Sequence, residues 1–366
     1  MSRNTFVHTA LLVVSVAGCG VDLEDAPPVD NEPIAAARKP VDPESCPDYV
    51  CGKNSPNLDS FPVRQIDLTA PTADGFSIAG AYVGNQAFAL SVSHGRVSAT
   101  AVNNAANVLS DVNLVGLRVI IRHATTTSPP TYYTVLFQNV DHAVQYSLPN
   151  AAGVRPHLES YQLSWQPTPN NPNAQLSSLR PFCPMPPVWG YDPDTRMPAS
   201  NALVYEGEVY ERPYTVDAET RPEMITFACA DTTFFKMATR GYTDMARADN
   251  YPATTTGERT ALFKSFAANY CPNFVGTVAG QPLDWFDGKI QNGNGPHLEA
   301  RWNAQGAACL NTPRVVFHPT ADSNAVFGLN GANLAAQMAA AGCTVPACPD
   351  DNVHALGVGT INTINR

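Results

Sequence analysis

Charge is what this chain has least of. Of its 366 residues only 15% are Asp, Glu, Lys or Arg, against about 25% in an ordinary globular protein. Lysine is nearly absent, with five residues (39, 53, 236, 264 and 289) beside 17 arginines. The formal net charge is −10 and no basic run is long enough to track a phosphate backbone, so nucleic acid is not an expected partner. Beyond the first twenty residues no apolar run reaches 18, because Arg118 interrupts the best candidate, Leu114 to Ile121. No membrane-spanning helix is expected there.

Complete catalytic motifs are missing as well. Gly52-Lys53 has Pro47 where a P-loop needs its first Gly, and Asn54 where it needs Ser or Thr. Gly75 to Gly80 is one residue too long for a nucleophile elbow. Gly293-Asn294-Gly295 is followed by Leu298 rather than the third Gly of a dinucleotide fingerprint. Neither an HExxH zinc motif nor an EF-hand loop occurs. Asp192-Pro193-Asp194 reads as an Asx/Pro turn in preference to a calcium site. No cofactor is implied.

What is present begins with an export signal. Arg3 precedes the short apolar run Phe6 to Ala17, which ends Val16-Ala17-Gly18-Cys19. Small residues before a cysteine suit cleavage by a signal peptidase and acylation of the new N-terminal thiol, so the segment resembles a bacterial lipobox. Residues 1–18 are then the signal peptide and Cys19 the lipidation site. Two or three acyl chains hold a protein firmly where one does not. Gly20 replaces the Asp of an inner-membrane retention signal, which favours the outer membrane and a cell-envelope location. Residues 20–45 carry seven acidic residues, two basic residues and five prolines. Such a stretch cannot bury enough surface to offset ordering entropy, so residues 19–45 read as anchor plus tether, reaching about 28 Å as a coil.

Export predicts oxidised cysteines. Setting Cys19 aside leaves Cys46, Cys51, Cys183, Cys229, Cys271, Cys309, Cys343 and Cys348, enough for four disulfides, and spacing alone leaves about 105 pairings open. Cys46/Cys51 and Cys343/Cys348 are C-x4-C pairs that close only across a turn, since an extended run of five steps separates the sulfurs by about 17 Å. Pro47 and Pro346 suit such turns. No C-x2-C or nearby His pair completes a zinc site.

Strands are expected over 75–82, 87–92, 114–124, 131–140, 160–166, 202–211, 224–230, 298–302 and 314–317, from β-branched and aromatic runs bounded by turn residues. In 202–211, Leu203, Tyr205 and Val209 share one face, Glu206 and Glu208 the other, and Gly207 falls on the apolar face as the mark of a bulge or of a close backbone approach. Helices are expected over 231–241 with Asp231 as N-cap, over 258–270, and over 331–341 before Gly342 as the C′ residue. The turn-rich segment 168–173 suggests a boundary between a β-rich unit, 46–182, and a second domain, 183–350. The fold class is α+β, strand-dominated.

Several short motifs fall in a fixed order: Phe227-Ala228-Cys229-Ala230, Arg240-Gly241-Tyr242, Ala268-Asn269-Tyr270-Cys271, Gln281-Pro282-Leu283-Asp284 and Glu299-Ala300-Arg301-Trp302. Together they resemble the ADYC domain, found mainly in lipoproteins of myxobacteria and related groups. Asn269 stands where the name-giving motif has Asp, and Cys46 to Pro56 is similar to a segment that often precedes the domain. The resemblance covers about 183–315, with 46–70 and 343–348 more loosely similar, and it implies a disulfide-stapled fold unit and no reaction. Relatives of this type often carry cysteines where this chain has Met237 and Leu262. The loss of both implies that helix 231–241 packs on helix 258–270, with Met237 against Leu262. The same comparison leaves Cys183 to join Cys229 and Cys271 to join Cys309.

One constellation could carry chemistry. His297, Glu299 and Arg301 at period two would share a strand face, with Asp284 nearby for general acid/base work. The alternative is a charge ladder or an ordered turn. Two functions follow. The first is an envelope lipoprotein that binds or scaffolds, attached to the membrane through its acyl groups and meeting a protein or glycan partner of the envelope. The second is a hydrolase of envelope or extracellular material with its site at Asp284, His297 and Glu299.

Overall fold

The computed structural model describes residues 56–365 except 60, 126–127, 169–175, 184–194, 199, 212–214, 218–219, 231, 272–283, 289–290, 293–296, 314–337, 340–341 and 357–360. A ribbon of β1 (Asn57–Leu58) and β2 (Phe61–Pro62) comes first. An eleven-stranded antiparallel sheet follows. Its first part is β3 (Gln65–Asp67), β4 (Phe76–Val83), β5 (Gln86–Ser93), β6 (Arg96–Ala101) and β7 (Asn104–Ser110). Next come β8 (Arg118–Thr125), β9 (Ser128–Asp141), β10 (Ser160–Pro167), β11 (Arg180–Pro181) and β12 (Asn201–Gly207). The small ribbon β13 (Tyr210–Glu211) and β14 (Thr215–Val216) then precedes β15 (Arg221–Cys229), which rejoins the sheet. The strand order is β3-β15-β12-β10-β9-β8-β4-β5-β6-β7, with β11 beside β10.

Local chemistry explains the hairpins. In β8 the burial alternates along Arg-Val-Ile-Ile-Arg-His, sending Val119, Ile121 and His123 inward. His123 is seated between the rings of Phe61 and Phe76, with centroids 4.2 and 4.4 Å away. The β5–β6 turn places His94 and Gly95 at φ +52° and +69°, the mirror-image turn whose twist suits a two-residue hairpin. The backbone N–H groups of His94 and Gly95 donate to the carboxylate of Glu206 on β12, at 2.6 and 3.2 Å. A Cβ on Gly95 would lie 2.3 Å from Met245 Sδ, so a side chain there would push the Met245 side chain aside. These contacts curl the sheet until β5 and β6 face β12 and β15. The enclosed space is lined entirely by apolar side chains, among them Val97, Val119, Val135, Leu163 and Phe227, and its cavity is about 20 Å³, room for about one water.

The second sheet is also antiparallel, in the order β17-β16-β20-β18-β19. It comprises β16 (Asp284–Phe286), β17 (Gln291–Asn292), β18 (His297–Asn303), β19 (Gly306–Leu310) and β20 (Ile361–Asn365). Two α-helices are described, α1 (Thr233–Thr239) and α2 (Thr256–Phe266). Thr232 caps α1, its side chain accepting from Phe235 N; Asp231, the expected cap, lies outside the described residues. A capping box between Thr255 and Glu258 starts α2. The helices meet through Phe234 and Phe263, ring centroids 5.5 Å apart, and α2 lies on β18, β19 and β20. The two helices pack on each other as expected, and Met237 and Leu262 are both fully buried in the core they share.

The architecture is the strand-dominated α+β fold that was expected, with several corrections. The sheet does not stop at 182/183: β12 and β15, from beyond that point, pair with β10 and β3. Of the expected linker, 168–173, only Thr168 is described, and the strands on either side of it, β10 and β11, pair with each other. Gly207 does mark a bulge, with φ +93° and a register shift between Glu206 and Gly207. The strand ends at Gly207, so Glu208, expected on its polar face, lies just beyond it and is buried beside Arg259. Helix α2 ends at Phe266 rather than Tyr270, as Ala268 turns to φ +45°. Of the expected third helix, Met338 and Ala339 are helical and Gly342 adopts φ +68°, with Cys343 N–H returning to Met338 O. Residues 331–337 and the expected strand 314–317 lie outside the described residues.

Three disulfides are described: Cys183–Cys229, Cys271–Cys343 and Cys309–Cys348. The first was expected. The pairing of Cys271 with Cys309 is overturned, and so is local closure of Cys343 with Cys348. Residues 346–348 lie beside the end of β19, with Leu310 N donating to Pro346 O and Cys348 N to Asn311 Oδ1. The two cysteines are thereby held apart, each beside a different partner. Cys19, Cys46 and Cys51 lie outside the described residues.

Candidate functional site

Arg240 to Tyr242, Asn269 to Cys271, Asp284 and Glu299 to Trp302 lie where α1, α2 and the second sheet meet. Phe227 to Ala230 ends β15, and Gln281 to Leu283 lie outside the described residues. Gly241 has φ +83°, and a Cβ there would lie 2.4 Å from the Tyr251 ring. Arg240 before it lies over the faces of Trp285 and Phe266, 4.3 and 5.4 Å from their centroids. Tyr242 after it donates to Asp287, and burial, then that carboxylate, pushes its hydroxyl well above the usual range. Arg-Gly-Tyr thus ties the end of α1 to β16.

Ala268-Asn269-Tyr270-Cys271 makes the turn that leaves α2. Asn269 Nδ2 donates to Cys271 O at 3.1 Å, a bond that an ionised Asp at this position could not donate. Tyr270 is buried, stacks on Trp302 with centroids 5.3 Å apart, and donates to Glu299 Oε1 at 2.6 Å. Cys271 carries the disulfide to Cys343.

The expected triad on β18 takes a different form. A register shift between Leu298 and Ala300 breaks the period of two, so Leu298 to Trp302 are all buried while His297 is exposed. His297 Nδ1 is 3.7 Å from Asp351 Oδ2 at the surface. Glu299 turns to Tyr270. Arg301 Nη2 donates to Asp350 Oδ1 at 2.5 Å, and this bond, with the Asn352 N–H, holds the Asp350 carboxyl below the usual range. Asp284 is buried on β16, opposite Ile364 of β20. Since β20 separates β16 from β18, Asp284 is two strands, about 10 Å, from the β18 backbone. The structure therefore does not gather Asp284, His297 and Glu299 into one site, and none of them lines the apolar cavity. Among the described residues no three His, Cys, Asp or Glu side chains are grouped to hold a metal.

A second polar centre was not foreseen. Glu208 Oε1 lies 3.3 Å from Arg259 Nη1, and the same nitrogen donates to Asp244 Oδ1 at 2.9 Å. Asp244 N–H also donates to Glu208 Oε1 at 3.0 Å. Burial pushes the Glu208 carboxyl up to about 7 against the pull of Arg259. Burial also raises Asp244, but Arg259, Thr220 and Arg247 outweigh it and hold that carboxyl below its usual range. The cluster joins the segment after β12, the turn after α1, and α2. Nothing local in the sequence signals it, because Glu208 lies one residue past the end of β12 and its partners come from distant segments.

These features define a class: a strand-dominated, disulfide-stapled α+β domain whose motif residues are joined to one another inside the core. Residues 113–316, more than half of the chain, match the model of the ADYC domain, and the chain belongs to that family. No curated protein and no solved structure matches it.

Proposed function

We propose that the chain is a cell-envelope lipoprotein, anchored through acyl groups on Cys19 in the outer membrane, that works by binding or scaffolding an envelope protein or glycan. The observation that carries this reading is how the polar groups of the motifs are used. Tyr242, Tyr270, Glu299 and Arg301 are each spent on a hydrogen bond between elements, which makes a rigid display body. The lipobox and the acidic tether suit presentation at a distance from a membrane. Hydrolysis at Asp284, His297 and Glu299 gains no support from a geometry in which β20 divides them.

Two measurements test the reading. Metabolic labelling with a palmitate analogue should mark the chain and fail with Cys19→Ala; an unmarked native chain overturns the anchor. A soluble form lacking residues 1–19 should be retained saturably by purified cell-wall glycan or by one purified envelope protein, leaving that partner's mass unchanged. Release of partner fragments, abolished by His297→Ala, would replace binding with hydrolysis.

A further inference from the structure

The second sheet is completed from outside the family match. Strands β16 and β18 lie within residues 113–316, whereas β20 begins at residue 361, 45 residues beyond the end of the match. Yet β20 sits between them, antiparallel to both. That arrangement makes β16 and β18 parallel to each other and holds them two strand spacings apart, about 10 Å. They cannot close on one another directly. A parallel pair needs a crossover of about a dozen residues or more, and the connection here, 287–296, partly forms the β16–β17 hairpin. Within the matched region the sheet therefore has a gap one strand wide, walled by hydrogen-bonding edges on both sides.

The occupant is recognised by more than its backbone. Ile361 and Ile364 are fully buried. Trp302 Nε1 donates to Thr363 Oγ1 at 2.8 Å. Asn362 Nδ2 donates to the carbonyls of Val353 and Ala355, at 2.9 and 3.0 Å, folding the approach to the gap. Upstream, the chain is led to the gap by Cys309–Cys348, by Arg301 on Asp350, and by Leu298 N–H on Asp351 Oδ1 at 2.9 Å. Arg301 and Trp302, adjacent in one motif, both serve this segment.

We propose that the gap between β16 and β18 is a strand-acceptor site, filled in this chain by its own residues 361–365, and that the same segment supplied in trans binds there. The ligand class is an extended peptide with an aliphatic side chain on each face and a hydroxyl set to accept from Trp302. Binding is by strand addition on two edges at once. The inference does not depend on the lipid anchor or on the partner proposed above.

The test uses the full mature chain carrying Ile361→Asp and Ile364→Asp, with a fluorescent peptide of residues 358–366 followed by anisotropy. The variant should bind the peptide at least about 10-fold more tightly than the unaltered chain, whose tethered strand competes at high effective concentration. A peptide with Thr363→Pro should not bind, because proline removes a ladder donor. Equal binding by both chains, or equal binding of both peptides, overturns the proposal. A variant that fails to fold is answered by a second measurement. The native chain, given a protease site within 357–360 and cut after folding, should keep residues 361–366 through gel filtration and release them to excess labelled peptide. Immediate loss of the fragment, or retention that excess peptide never displaces, overturns it equally.

Discussion

The two sheets are built on opposite plans. In the large sheet from β4 to β10, four pairings (β4–β5, β5–β6, β6–β7 and β8–β9) are short hairpins, while β4–β8 and β9–β10 close over longer connections, and the interior is apolar. In the small sheet β20 pairs with strands about 60–80 residues distant. Its pairs are bridged by Tyr270–Glu299, Arg301–Asp350 and Trp302–Thr363 and stapled by two disulfides. Local pairing needs little beyond side-chain pattern and turn chemistry. Distant pairing must offset a larger closure entropy before any contact is gained, and covalent links and buried polar bonds are the means used here.

The largest expected effect tests that dependence. Replacing Cys309 and Cys348 by Ser opens a link spanning 39 residues, which in the chain-entropy model removes about 4 kcal/mol. The small sheet should then melt before the large one. Calorimetry should resolve two transitions, and a single cooperative transition would mean that the two regions do not differ in this way.

The junction between the regions is next. Glu208, raised to about 7 when folded, binds a proton in the native state at pH values where the unfolded chain has lost it, between about 4.5 and 7. Its presence therefore lowers stability as pH rises through that window and adds no further slope above it. Glu208→Gln should flatten the decline, by up to about 3 kcal/mol for a shift of this size. Urea titrations at pH 5 and pH 7.5 measure it, and an unchanged difference between the two pH values would refute the assignment.

The smallest effect belongs to the large sheet. Glu206→Ala removes two bonds to the β5–β6 turn and should cost about 1–2 kcal/mol. Hydrogen exchange should quicken at His94 and Gly95, with protection of β18 and β20 unaltered. Equal loosening of the second sheet would show the regions to be one cooperative unit.

The same contrast explains what could be read from the sequence. Strands β4, β5, β8, β9 and β10 announce themselves through β-branched and aromatic runs between turns, and their observed limits lie close to the expected ones. Strands β6 and β7 were missed because Ser, Ala and Asn dominate them, and their pairing is supplied by the hairpin instead. Thr255 and Glu258 have the spacing of a capping box, a local signal that would have placed the start of α2 correctly. Glu208 was assigned to the polar face of a strand that in fact ends at Gly207, and its burial comes from Arg259 and Asp244, which are distant in sequence. Nothing local in Ile361-Asn-Thr-Ile-Asn365 says that it is a central strand, since burial on both faces erases alternation. The proposed triad failed for a related reason: the bulge in β18 and the strand inserted beside it are both tertiary facts.

The position of β20 also sets a schedule. A chain made from its N-terminus has β16 and β18 complete before residues 361–365 are made, so two hydrogen-bonding edges wait open until that segment arrives. Open edges are templates for the wrong neighbour. A crowded compartment therefore favours rapid delivery of the closing segment, and Cys309–Cys348 shortens the search by bringing that segment to the edge of its own sheet.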